Sequence, residues 1–139
     1  REAGMVNVLV TNGSVTQEVL EELLPFTDAM NIDLKGFTEA YYRKLGGGLE
    51  PVKRFIERAV RECHVELTTL IVPGENDSEK EMEEEAAWIA SLDPGIPLHV
   101  TRFFPQYKMT DRAAADVETV YRLRETAAKY LRYVYTGNC

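Results

Sequence analysis

The sequence predicts an α/β fold built on a parallel sheet, and three observations predict it. Apolar segments of strand length alternate strictly with helical periodicities along the 139 residues. Most of the strand segments end at Gly or Pro: Thr11-Asn12-Gly13, Lys35-Gly36, Pro73-Gly74 and Pro105. One strand, 28–35, is apolar on one side and carries Asn31, Asp33 and Lys35 on the other. Strict alternation implies parallel strands joined by right-handed crossovers. A chain of this length fits a small doubly wound fold or an arc of a barrel. In either, ligands bind at the carboxyl ends of the strands.

The elements follow in order. Met5 to Val10 is a short apolar strand closing in the Thr-Asn-Gly turn. Ser14 and Gln17 fit a capping box, and the helix they open turns Val19, Leu20, Leu23 and Leu24 to one side until Pro25 ends it. The strand 28–35 follows, with Met30, Ile32 and Leu34 facing a core. A short helix over 38–45 offers Tyr41, Tyr42 and Leu45 for packing, as Tyr121 does in a later helix. Gly46-Gly47-Gly48 lacks both the P-loop ending and the dinucleotide spacing, so it reads as a joint between helices.

From Pro51, the residues Val52, Phe55, Ile56, Ala59, Val60 and Cys63 mark a strongly amphipathic helix, with Cys63 as a buried thiol. The strand 64–72 divides into Glu66, Thr68, Leu70 and Val72 on one face and Val65, Leu67, Thr69 and Ile71 on the other. Ser78 and Glu81 form a second capping box, Glu83-Glu84-Glu85 reads as a solvated face, and Met82, Ala86, Ile89 and Leu92 form the buried stripe, with Trp88 at its margin. The strand 98–104 ends at Pro105, and 106–112 is a loop. Asp116 caps a helix that turns Val117, Val120, Tyr121, Ala127, Ala128 and Leu131 inward, and 132–135 is the last strand.

Composition narrows the function. The net charge of -7 disfavours nucleic acid as the main partner, since phosphate binding needs a basic patch. No apolar run reaches the ~20 residues of a membrane span, and no signal peptide opens the chain, so a cytoplasmic setting is expected. Cys63 and Cys139 have no metal-ligand spacing and define no disulfide framework. The Arg1 start, the helix-end pattern of Arg1 to Gly4 and the stop after a strand predict a piece of a longer protein, cut at both ends.

Four motifs follow in order: Val-Thr-Asn-Gly at 10–13, Asn-Ile-Asp-Leu-Lys-Gly at 31–36, Thr-Thr-Leu-Ile-Val-Pro-Gly-x-Asn-Asp at 68–77, and His-Val-Thr-Arg-Phe-Phe-Pro-x-Tyr-Lys-Met at 99–109. Together they resemble radical SAM enzymes of the pyruvate formate-lyase activating enzyme group, most of all the branch called the AmmeMemoRadiSam system radical SAM enzyme. The resemblance implies an arc of a partial barrel of six parallel strands, of which this chain supplies strands three to six plus a final helix and strand. It implies a 4Fe-4S cluster held by a Cys-x-x-x-Cys-x-x-Cys loop, and a Gly-Gly-Glu motif for the methionine amine of S-adenosylmethionine. Neither motif occurs here. The implied activity is reductive cleavage of S-adenosylmethionine to a 5′-deoxyadenosyl radical for hydrogen abstraction. This chain alone is expected to be inactive.

Carried over by position, the resemblance implies cofactor-binding roles for Thr11, Asn12, Asp33, Lys35, Thr68, Leu70 and Val72. The chemistry agrees: Lys35 meets a carboxylate as a point charge, Asp33 accepts from a hydroxyl or amine or holds Lys35, and Leu70 and Val72 suit a purine face. Activating enzymes often carry an acid where Val10 stands and a histidine near the position of Tyr107, so neither of those roles transfers. No catalytic residue and no metal ligand is assigned in this chain, and the substrate, possibly a protein, is left open. His99 and Arg102 fall on opposite faces of one strand, with the inward one undecided.

Plainer readings stand beside these. Asp33 and Lys35 would make a surface ion pair worth at most ~1 kcal/mol, and Arg102 would pair with one of the many acids. The whole chain would then be a non-catalytic α/β binding module. An aldolase-like closed barrel is disfavoured by length and by the lack of a glycine-rich phosphate loop. An arc lacking its first strands should expose an apolar edge near Val6 to Val10 and invite self-association.

Overall fold

The computed structural model describes residues 4–105 and 113–139. The loop 106–112 with Tyr107, and the expected helix end at Arg1 to Ala3, lie outside the described residues. The elements are β1 (Val8–Thr11), α1 (Gln17–Leu23) running into a 3-10 turn (Leu24–Phe26), β2 (Ala29–Asp33), α2 (Glu39–Lys44), α3 (Leu49–Val60), β3 (His64–Ile71), α4 (Glu79–Leu92), β4 (Leu98–Arg102), α5 (Val117–Ala128) and β5 (Val134–Gly137).

All five strands are parallel, and their spatial order is their chain order. That order decides between the two architectures. A doubly wound sheet reverses direction and places helices on both faces. Five strands added in one direction by right-handed crossovers place every helix on the same face, as in an arc of a barrel.

Burial follows from this winding. Met30 and Ile32 of β2 with Leu34 just past it, Val65, Leu67 and Ile71 of β3, and Leu98 and Val100 of β4 are all buried. The other face, with Asn31, Asp33, Glu66, Thr68 and His99, is partly open. The edge strand β1 leaves Val8 and Val10 63% and 73% exposed, the apolar edge that the sequence predicts.

Several local expectations change. Thr16, not Ser14, caps α1, its side chain accepting from the Val19 amide at 3.3 Å. Val19 is exposed, so the inward stripe narrows to Leu20 and Leu24. In α5, Asp116 is the cap as expected, but Tyr121 and Ala128 face outward, and Leu123 and Thr126 take inward positions beside Val120 and Ala127. Cys63 lies just past α3 and is half-buried, its thiol 3.5 Å from the Ala59 carbonyl and pushed up by burial. Tyr42 is buried, as its packing role requires.

The acids of α4 depart furthest from the sequence reading. Ser78 accepts from the Glu81 amide, but the Glu81 carboxylate does not return to Ser78. It crosses to β2's exit and accepts from the Phe37 amide at 2.8 Å. Glu85 is not solvated. It is 1% exposed, its Oε2 lies 2.9 Å from Thr69 Oγ1, and that hydroxyl also lies 2.7 Å from the Leu34 carbonyl. In sequence Glu85 belongs to the acidic run Glu83-Glu84-Glu85, but the helix turns it onto the sheet, where Thr69 is the polar residue of a buried face.

Gly36 is where these elements converge. A Cβ there would sit 2.8 Å from the Tyr41 ring and 3.1 Å from Glu81 Oε2. Gly36→Ala is therefore expected to cost ~1–3 kcal/mol through overpacking. A thermal melt checks this; an unchanged midpoint would mean that the Tyr41 ring yields at no cost.

Candidate functional site at the carboxyl rim of the sheet

Lys35 leaves the sheet just past β2, and side chains hold its backbone on both sides. Its N–H donates to Tyr42 Oη at 2.9 Å, and its carbonyl accepts from Asn76 Nδ2 at 2.7 Å. Asn76 is buried in the loop after β3. Its Nδ2 also donates to the Leu70 carbonyl at 2.8 Å, and its Oδ1 accepts from the Val72 amide at 2.7 Å. One amide side chain thus ties the exits of β2 and β3 together. Lys44 of α2 reaches the same loop, its Nζ 2.8 Å from Glu75 Oε1. Side chains thus hold the backbone on both sides of Lys35, whose own side chain is partly exposed.

Lys35 Nζ meets Asp33 Oδ2 at 3.4 Å, with the two side chains 42% and 40% exposed. A pair this open contributes little to stability, and the ammonium keeps capacity for a ligand. Around it lie two cavities. The first, of about 280 Å³, is lined by Lys35, Tyr41, Leu45, Leu70, Val72 and Phe103 and is largely apolar. The second, of about 270 Å³, is polar and is lined by Asn12, Ser14, Lys35, Tyr42, Leu45 and Gly46-Gly47. Lys35 and Leu45 belong to both.

The residues singled out in the sequence divide as follows. Lys35, Leu70 and Val72 share the apolar cavity, and Asn12 joins Lys35 in the polar one. Asp33 touches Lys35. Thr68 lies farther down the open face and donates to Asn31 Oδ1 at 2.9 Å. Thr11 pairs in register with Ile32, which places it on the helix side, and its hydroxyl accepts from the Gly13 amide at 3.1 Å. Thr11 is not brought to the cavities by its side chain. Asn76, Tyr42 and Tyr41 escaped the sequence as site residues, whereas Phe103 stands in the last of the four motifs, at a strand end. Asn76 stood inside a motif already noted, but nothing in its local pattern says that a loop amide spans two strands.

The open face below the rim carries a charged cluster. Glu66 Oε1 lies 2.7 Å from His99 Nε2, and its Oε2 lies 3.0 Å from His64 Nε2. These contacts, His99's first, hold the Glu66 carboxyl below its usual range. The His99 ring packs on Tyr135 with centroids 5.5 Å apart. His99 therefore faces the open side. Arg102 lies on the opposite face, its Nε donating to the Ala115 carbonyl at 2.6 Å and its guanidinium 4.5 Å from the Phe104 ring centre.

The donor set does not suit an iron–sulfur cluster. The two cysteines lie at opposite rims: Cys63 enters β3 at its amino end, and Cys139 follows the carboxyl end of β5. Among the described residues, no group of three or more His, Cys, Asp or Glu side chains is arranged to hold a metal ion. S-adenosylmethionine fits better, because an apolar wall adjoins a cation and a set of hydrogen-bond donors. Among the described residues, no helix is long and apolar enough to cross a membrane.

A singly wound arc of five parallel strands with one partly open, polar face defines a barrel-type α/β domain. Residues 1–86 match the radical SAM superfamily, and the chain belongs to it. An uncharacterised protein of Methanocaldococcus jannaschii is 40% identical over 141 residues, covering 99% of this chain. The chain spans 42% of that relative's length. Among solved structures, a domain of a pyruvate-formate lyase-activating enzyme from Bacteroides vulgatus superposes with a TM-score of 0.83 at 18% identity, covering 99% of this chain and 84% of that one. A radical SAM methyltransferase from Sphaerobacter thermophilus gives a TM-score of 0.63 at 15% identity, over 93% of this chain and 39% of that one. At such identities these two likenesses concern the fold.

Proposed function

We propose that this chain forms the S-adenosylmethionine-facing part of a radical SAM enzyme, with the residues for the 4Fe-4S cluster supplied by sequence outside it. The observation that carries the reading is the aim of Lys35. Tyr42 and Asn76 fix its backbone between an apolar cavity and a polar one, at the carboxyl rim of a radical SAM arc. In such an enzyme, the cluster supplies the electron for reductive cleavage of S-adenosylmethionine.

The residues here bind and orient. Leu70, Val72 and Phe103 give an apolar wall for the adenine. Lys35 meets the carboxylate of the methionine moiety, and Asp33 holds Lys35 or accepts from a ribose hydroxyl. Thr68 and Asn31 satisfy each other on the strands beneath. A substrate that gives up hydrogen, a glycine of a protein in the activating-enzyme manner among the options, would approach over the open face. The exposed edge of β1 speaks against a stand-alone binding module and for pairing with further chain or with a second copy.

Calorimetric titration with S-adenosylmethionine tests the reading. Lys35→Ala is expected to weaken binding roughly 10- to 100-fold, the loss of a charge-assisted contact worth ~1.5–3 kcal/mol. Unchanged affinity would remove Lys35 from the site.

A further inference from the structure

We infer that His99, oriented by Glu66, is a substrate-contacting residue whose Nδ1 accepts a hydrogen bond from an amide or amine N–H group lying over the open face. Register sets the place. Asp33 pairs with Thr68, Thr68 with His99 and His99 with Tyr135, so these four residues form one row across four strands. Neighbouring strands lie ~4.8 Å apart, which puts His99 ~10 Å along the row from Asp33, the partner of Lys35. The state of the imidazole follows from its partner. Contacts with His99 and His64 hold the Glu66 carboxyl below its usual range, so it is ionised at neutral pH. An ionised carboxylate only accepts, so Nε2 of His99, 2.7 Å from Glu66 Oε1, carries the proton. In the neutral ring, Nδ1 is then left with a lone pair. Among the described residues Nδ1 has no hydrogen-bond partner, and no buried side-chain nitrogen or oxygen lacks one, so Nδ1 is open to solvent. His64 Nε2 meets the second Glu66 oxygen at 3.0 Å, so the carboxylate that orients His99 is engaged at both oxygens.

Charge decides what that lone pair meets. Glu66 and Asp33 both lie on this face, and Lys35 already pairs with Asp33. An anion beside Glu66 would meet like charge. A neutral amide or a protonated amine would not, and either brings the proton that Nδ1 lacks. The neighbours of His99 suit such a group. Thr68 donates to Asn31, which leaves the Thr68 oxygen able to accept and the Asn31 amide protons able to give. The Tyr135 ring, 50% exposed and 5.5 Å from the imidazole, offers a flat apolar surface for the rest of the molecule. That a substrate lies here at all rests on the proposed function, whereas the lone pair on Nδ1 rests on the hydrogen bonds alone. Two sources share this N–H chemistry: a peptide and a simple amine.

Nuclear magnetic resonance on the isotopically labelled chain, at a pH above the ordinary imidazole value of about 6.5, tests both parts. The imidazole nitrogen spectrum is expected to show His99 protonated at Nε2 and bare at Nδ1. Glu66→Gln, which no longer demands a donor, should mix the two tautomers, whereas His64→Asn should leave His99 as it is. N-acetylglycinamide and propylamine serve as the peptide and amine probes, with acetate as the anion. At least one of the first two is expected to move the Nδ1 resonance. His99→Phe, which keeps a ring against Tyr135, should weaken that probe's effect on the Thr68 and Tyr135 amides about tenfold. A response to N-acetylglycinamide assigns a peptide-like source, and a response to propylamine alone assigns an amine. A proton on Nδ1 in the native chain, no movement with either donor, or a stronger response to acetate overturns the inference. Unchanged cofactor affinity in Lys35→Ala would remove Lys35 from the cofactor site and leave the His99 response in place, so the two readings fail separately.

Discussion

Asn76→Ala is expected to lower the melting temperature by roughly 10 °C and to weaken ligand binding at the rim as well. The substitution deletes three hydrogen bonds of 2.7–2.8 Å from a side chain that is 2% exposed. It leaves the Val72 amide and the carbonyls of Lys35 and Leu70 short of their partners. Each orphaned group costs ~1–3 kcal/mol where water cannot replace the lost bond, and partial solvent access brings the total to ~3 kcal/mol. That is a large share of the ~5–15 kcal/mol that holds a domain together. Asn76→Asp is the informative companion. It keeps an acceptor for the Val72 amide but turns a carboxylate toward two carbonyl oxygens, so it should be at least as damaging. Thermal melts of both variants check this, and near-native melting of the aspartate variant would refute the clamp.

The second large effect concerns pH. Burial pushes the Glu85 carboxyl up to about 8. Geometry gives the same answer. Thr69 has one hydroxyl proton, and its oxygen lies 2.7 Å from the Leu34 carbonyl and 2.9 Å from Glu85 Oε2. Both contacts are satisfied only if a neutral Glu85 donates to Thr69 and Thr69 donates to Leu34. The folded state thus holds a proton that the unfolded chain releases near its ordinary value of 4.5.

Stability from this group is full below about 4.5, falls as pH rises from there and is lost by about 8, where the folded carboxyl ionises too. The loss is of the order of a few kcal/mol. Glu85→Gln keeps a donor for Thr69 without the charge. Its melting temperature should stay flatter between pH 5 and 8 than that of the native chain, with the largest advantage at the alkaline end. Parallel curves for the two proteins would mean that Glu85 titrates like a solvated acid.

Local pattern was enough for much of this molecule. The alternation in 29–34 and in 64–71 put the right residues on the right faces, because a period of two is a property of the strand itself. The run of strand and helix signals was enough for a parallel sheet, and the motifs around Asp33, Lys35 and Pro73-Gly74 were enough to indicate a radical SAM arc. Local pattern was not enough for the acids of α4. Glu85 sits among charges in the chain, and only the packing of that helix on Thr69 makes it a buried acid. Nor was it enough for Thr11, whose side depends on where β1 ends and which residue of β2 it meets.

By itself, then, the sequence determined the elements, their parallel direction and the residue types at the rim, since these follow from periodicity, turns and local chemistry. The tertiary structure decided the rest. Singly wound order left one face open, register placed His99 beside Thr68 and within reach of Glu66, and Asn76 and Tyr42 fixed the backbone from which Lys35 projects. Those contacts join residues up to 41 positions apart, and no local pattern encodes a distance of that kind.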